Sequence, residues 1–222
     1  VLVPGVRHGI RVPRSLVPIL LGACAVIATV VTWAVVAPRP TGTDIALPGS
    51  SPSTDIRAIA YSTPGDDGLD HIYVRDAAPA ASPRLVASIP HAPGIHLRGS
   101  ASPIGDRLAI LSVTSGTYAS LAAVDLPSGQ ASTVPGTFDY LSPLVWSPDG
   151  KRVVVVQTET DSGTSVARVM EADIQDRSVR TIAEFRDAFA VAPVGFSVDG
   201  ERTFIVVVDE TGSNLWERRD GE

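Results

Sequence analysis

Hydrophobic residues fall along this chain in two patterns. Residues 15–37 form one unbroken apolar stretch without a charge. Beyond residue 55 the apolar runs are short, and Gly, Pro, Asp or Ser bounds each of them. The first pattern predicts a helix and the second predicts strands. Between the two lie residues 38–55, rich in Pro, Gly, Ser and Thr, which read as a linker.

The short runs repeat. Ser147-Pro148-Asp149-Gly150-Lys151-Arg152 precedes Val153-Val154-Val155-Val156. Pro presets φ for the first central position of a type I turn, Asp tolerates the second, and Gly takes the left-handed position that follows. Such a turn joins two antiparallel strands. Ser102-Pro103-Ile104-Gly105-Asp106-Arg107 is a second copy and Ser197-Val198-Asp199-Gly200-Glu201-Arg202 a third, while Ser51-Pro52-Ser53-Thr54-Asp55-Ile56 is a degraded one. Successive copies lie 51, 45 and 50 residues apart. A strand-filled period of this length predicts a β-propeller, each blade a four-stranded meander with the inner strand first.

Four blades follow, at about residues 56–89, 94–134, 139–185 and 189–222. The first shows strands at 56–62, 70–76 and 83–89, its inner strand missing or within the linker. The second runs 94–101, 106–113, 118–125 and 130–134. The third runs 139–146, 151–158, 164–173 and 178–185. The fourth runs 189–196, 201–208 and 213–219 and stops before an outer strand. Four blades with an unfinished last repeat predict an incomplete ring; closure with the linker as last strand, or completion by another chain, are the alternatives. Trp146 and Phe196 each stand one residue before the repeated Ser, where an aromatic fills the space between blades. The third strands end on Asp76, Asp125, Asp173 and Asp220, which cap the turns that follow.

The Ser-Pro-Asp-Gly-Lys/Arg turn, an apolar strand after it and a further strand ending in Asp together resemble the TolB-like propeller repeat. The likeness covers residues 51–222 and is sharpest over 139–222. The first turn lacks its Gly, the third complete copy has Val198 in place of Pro, and the usual aromatics are thinned out. The resemblance implies an all-β propeller fold. It also implies a choice of roles, since TolB-like propellers include periplasmic partner-binding proteins, sensor domains and the propeller halves of prolyl-oligopeptidase-type peptidases.

Charge places this domain relative to a membrane. Arg7, Arg11 and Arg14 precede the apolar stretch, Arg39 alone follows it closely, and all 24 acidic residues come later. A helix of 15–37 is long enough to cross a hydrocarbon core of roughly 30 Å. The positive-inside rule then keeps residues 1–14 cytoplasmic and exports everything after 37. Two other readings are a signal peptide cleaved after Ala37, which Pro38 disfavours, and a lipobox at Leu21-Gly22-Ala23-Cys24, which the apolar residues after Cys24 disfavour. Cys24 is the only cysteine, so no disulfide forms within the chain.

Past residue 37 the chain carries 15 basic against 24 acidic residues, a balance that argues against nucleic-acid binding. No Gly-x-Ser-x-Gly elbow, His-Glu-x-x-His pair or phosphate loop is present. His91 and His96 flank Pro93-Gly94 and read as loop or strand-edge histidines rather than a metal pair. Asp66, Asp67, Asp70 and His71 form the densest polar cluster. Its spacing does not match a calcium loop, so it reads as an exposed hairpin loop and a candidate binding loop. Glu171 and Asp173, two apart on one strand, are expected to face solvent. No metal, cofactor or catalytic residue is expected. The sequence therefore predicts a membrane-anchored, exported propeller that binds a protein or small ligand, or else the anchor and propeller of a prolyl-oligopeptidase-like peptidase.

Overall fold

The computed structural model describes residues 58–78 and 80–219. The membrane and linker segments expected at 15–37 and 38–55 lie outside them. Fourteen strands and no helix make up the described residues. They form four antiparallel meanders in chain order. The first holds β1 (Ala58–Pro64), β2 (Leu69–Asp76) and β3 (Arg84–Pro90). The second holds β4 (Arg98–Ala101), β5 (Arg107–Ser112), β6 (Tyr118–Asp125) and β7 (Ala131–Asp139). The third holds β8 (Val145–Trp146), β9 (Arg152–Asp161), β10 (Thr164–Asp173) and β11 (Ser178–Arg186). The fourth holds β12 (Ala190–Phe196), β13 (Arg202–Asp209) and β14 (Gly212–Arg219).

The repeated turn is built alike three times. Gly105, Gly150 and Gly200 donate their N–H to the carbonyls of Ser102, Ser147 and Ser197, each at 2.9 Å, and all three glycines have positive φ. Each Ser N–H also bonds the carbonyl of the Arg that opens the next strand, at 2.9 Å. The Ser hydroxyls are buried and donate to carboxylates: Ser147 to Asp149 at 2.5 Å, and Ser197 to Asp199. In the second blade Ile104 holds the Asp position, and Ser102 turns instead to Asp106 at 2.8 Å. The turn thus keeps its Ser–Asp bond although the Asp has moved by two residues.

Hydrophobic burial is concentrated between blades. One cluster joins Ile72, Val86 and Ile89 of the first blade to Leu108, Ile110 and Val124 of the second. A second joins Leu111, Leu121 and Phe138 to Trp146, Val153 and Val155. A third joins Val154, Val156, Val169 and Ile182 to Ile205 and Val207. Val153 to Val156 are therefore buried on both faces of one strand, odd positions against the second blade and even positions against the fourth. That explains an unbroken apolar run where a half-exposed strand would alternate. Each such side chain contributes about 1.5–3 kcal/mol of burial. Trp146 adds a hydrogen bond from Nε1 to the Ser100 carbonyl at 3.1 Å across the same junction.

Two expectations are corrected. Residues 139–146 do not form one inner strand: β7 runs on through Asp139, and β8 is only Val145–Trp146. Phe138 is fully buried opposite Ala119, which holds the end of β7 in the second blade, and Pro143 has no N–H to continue a ladder. Glu171 does not face solvent. It is 5 % exposed and lies between Arg152 (3.0 Å) and Arg180 (2.6 Å). Arg152 also donates to the Gly200 carbonyl at 2.8 Å and lies 5.5 Å from the centre of the Phe196 ring, so this charge cluster ties the third blade to the fourth. Asp173 does cap its turn, accepting from the N–H groups of Gln175 and Asp176.

Candidate functional site

An antiparallel meander brings its β1–β2 type hairpins and its blade-to-blade connections to one end. The repeated Ser turns lie at the other end. The first end carries the 65–68 turn, the connection 91–97, the connection 140–144 and the connection 187–189. Of the predicted cluster, Asp66 and Asp67 are exposed there. Asp67 accepts from the Leu69 N–H at 3.1 Å and lies 3.7 Å from His71 Nε2, and His71 Nδ1 is 2.9 Å from Ser88 Oγ. Asp70 departs from expectation: it is 1 % exposed and does not belong to an exposed loop. It lies beneath the 91–97 connection, where its Oδ2 accepts from the Leu97 N–H at 3.2 Å. The structure brings His91 close to it, at 3.7 Å from Nε2 to Oδ1, and this pair was not legible from spacing.

The 140–144 connection is fastened by side chains. Asp139 accepts from both the N–H and the hydroxyl of Thr158, at 2.9 and 2.6 Å. Tyr118 donates to the Thr158 carbonyl at 3.0 Å. Ser142 Oγ accepts from the Val156 N–H at 2.8 Å. Tyr140 donates to the His96 carbonyl at 2.6 Å, so the connections 91–97 and 140–144 are bonded to each other, and Arg98 lies 5.7 Å from the Tyr140 ring centre. Two large apolar side chains that sequence reasoning did not single out stand on these connections, Leu141 on this frame and Phe189 on the 187–189 connection, which backbone bonds from Asp187 to Ser165 (2.9 Å) and from Phe189 to Val208 (2.7 Å) hold. Leu141 is 75 % exposed and Phe189 76 %. They occupy successive connections, and with Tyr118 they give this rim an apolar character beside the carboxylates of Asp66 and Asp67. The apolar residue in a polar connection was the available sequence signal.

At the opposite end a cleft of about 600 Å³ opens between the second and third blades, lined by Arg107, Asp125, Gln130, Gln175 and Arg177 among others. Asp125 lies below the usual carboxylate range, chiefly because Ser128 donates to it through its hydroxyl and its N–H. Among the described residues no group of three or more His, Cys, Asp or Glu is placed to hold a metal ion.

No protein-family model matches the chain, and no curated protein matches it in sequence. Solved structures do match in fold. TolB from Acinetobacter baumannii superposes with a TM-score of 0.51 at 16 % identity, over 76 % of this chain and 40 % of that one. The β-propeller domain of the Trilobed protease from Pyrococcus furiosus, described as having an open velcro topology, gives 0.52 at 14 % identity over 76 % and 53 %. The acylaminoacyl peptidase from Pyrococcus horikoshii gives 0.52 at 16 % identity over 78 % and 31 %. The described residues are thus an all-β fold of the propeller class. The chain spans about half or less of the length of each of these proteins.

Proposed function

We propose that this chain is a binding module, held at the outer face of a membrane by residues 15–37, which engages a protein partner through the rim that carries Leu141 and Phe189. The observation that carries this reading is the display of two three-quarters-exposed apolar side chains on held connections: Leu141 on one fixed by Asp139, Ser142 and Tyr140, and Phe189 on one bonded through its backbone to Ser165 and Val208. Large apolar groups displayed on a preorganised frame lose little entropy on binding. Anchoring rests on the apolar stretch and the three arginines before it.

A second reading is the propeller part of a longer serine peptidase. It is favoured by the fold likeness to the Pyrococcus horikoshii acylaminoacyl peptidase, only 31 % of which this chain covers. Site-specific photo-crosslinking in intact cells tests the first reading. A crosslinker at position 141 or 189 should capture a discrete partner, and one at Val198, exposed at the other end, should not. Equal capture from both ends, or none, defeats the rim proposal. Reading the natural coding sequence beyond Glu222 tests the second, which requires a Gly-x-Ser-x-Gly segment followed by Asp and His.

A further inference from the structure

Asp70 occupies a position that the two four-stranded blades give to alanine. Register aligns the strand-closing residues Asp76, Asp125 and Asp173, whose partners are Ala58, Arg107 and Arg152. Six residues earlier stand Asp70, Ala119 and Ala167, all buried. A repeat that packs a methyl group here in two blades has a carboxylate in the first. Burying a carboxylate is costly unless it is fully paired.

The pairing in place is incomplete in a specific way. Asp70 Oδ2 is satisfied by the Leu97 N–H, but Oδ1 has no hydrogen-bond partner, and neither does His91 Nε2. These two orphan atoms face each other at 3.7 Å, on side chains 2 % and 10 % exposed. The other ring nitrogen, His91 Nδ1, lies 3.0 Å from the Ala92 carbonyl. A carbonyl only accepts, so Nδ1 carries the hydrogen, and in the neutral imidazole Nε2 offers a lone pair. Two buried acceptors then oppose each other with no donor between them. One proton from solvent, added to Nε2, converts the opposition into a charge-assisted hydrogen bond.

We infer that Asp70 and His91 form a proton-operated clasp, closed on acidification, that fastens the 91–97 connection to the first blade. The clasp sits where both ends of that connection meet β2 and its turn: the His91 N–H bonds the Gly68 carbonyl at 3.1 Å, and the Leu97 N–H bonds Asp70. The charged groups around it are Asp66, Asp67 and His71 of the first hairpin, His96 of the connection, and Arg98 of β4. None lies within ion-pair distance of Asp70 or His91, and Asp67 and His71 face each other instead. The ends of β3 and β5 that face it bring no charged side chain; Arg84 stands at the far end of β3 and donates to the Leu126 carbonyl at 2.7 Å, and Ser112 of β5 donates to the Pro90 carbonyl. Because Tyr140 bonds the His96 carbonyl, the closed clasp also steadies the connection that displays Leu141.

Asp70→Asn is the discriminating variant. It keeps an oxygen for the Leu97 N–H and puts an amide N–H where Oδ1 faces His91, supplying the missing donor without a proton. Hydrogen exchange on the full chain in detergent micelles, corrected for intrinsic rates, is compared at about pH 5 and about pH 8. Wild-type amides of 91–97 should exchange about tenfold more slowly at the lower pH, whereas Asp70→Asn should show little difference. In parallel, ¹⁵N-histidine spectra of the wild type should show His91 gaining its second proton at Nε2 on acidification. The same pH dependence in both proteins overturns the clasp. So does a neutral His91 protonated at Nε2, or protection that follows an added divalent cation and not pH.

Discussion

Gly129, in the turn between β6 and β7, lies against the backbone of Val86 in the preceding blade: a β-carbon there would stand 2.9 Å from the Val86 carbonyl oxygen. Its φ is +74°. Gly105 has the same φ, yet a β-carbon on it would meet nothing within 4 Å. The two glycines therefore separate conformation from packing.

Gly105→Ala should cost about 1–2 kcal/mol, the penalty for an L-residue in the left-handed region. Gly129→Ala should cost about 1–3 kcal/mol more, because a backbone carbonyl cannot swing aside as a side chain can. Urea denaturation of the two variants checks the difference. Equal losses would mean that the first and second blades can separate without strain at this point.

Glu171 takes hydrogen bonds from Arg152 through one oxygen and from Arg180 through the other. Removing the carboxylate takes from Arg152, whose side chain is 20 % exposed, a counter-charge at 3.0 Å. Glu171→Ala should therefore destabilise by about 3 kcal/mol or more. Arg180, at 54 % exposure, is the replaceable partner, and Arg180→Ala should cost less than about 1 kcal/mol. Thermal melts of the two variants would rank them, and the reverse order would show that Arg152 is held by Gly200 and Phe196 rather than by Glu171.

The turns at Pro148-Asp149-Gly150 and Asp199-Gly200 can be read from sequence because their geometry is local: a fixed φ at Pro, a carboxylate two residues after a Ser, a glycine at positive φ. Glu171 and Asp70 were misread for the opposite reason. Whether each faces solvent depends on what the adjoining blade or connection places over it: Arg152 beside Glu171 and the 91–97 connection above Asp70. Those partners lie 19 and 27 residues away in sequence, with no periodic pattern to announce them. The rim at Leu141 and Phe189 was not picked out because the pattern placed both residues in inner strands, 139–146 and 189–196, where an apolar side chain is expected to be buried.

Acid should loosen the Ser turns. Asp149 and Asp199 lie below the ordinary carboxylate range, first because Ser147 and Ser197 donate hydroxyl hydrogens to them, with backbone N–H groups adding to the effect. A carboxylate depressed in the folded state favours folding when it is ionised. That contribution is complete above the unfolded value, near 3.9, and is lost as pH falls through the lower folded values. The denaturation midpoint should therefore be flat from neutrality to about pH 5 as far as these groups are concerned, then fall below about pH 4. Ser147→Ala combined with Ser197→Ala should lower stability at neutral pH and make the acid fall shallower. An undiminished acid fall would assign it to other carboxylates.

Exposed and buried apolar side chains should part company most clearly. Phe189 and Leu141 are three-quarters exposed, so replacing both with Ser should change stability by no more than about 0.5 kcal/mol each. Trp146 is 8 % exposed, packs in the core between the second and third blades, and donates to the Ser100 carbonyl. Its replacement by Ala should cost about 3–5 kcal/mol. If partner capture then fails for the Leu141 and Phe189 variant while its melting temperature holds, the rim acts through what it displays. If stability also falls, those two side chains belong to the fold, and a binding surface must be sought elsewhere on the blades.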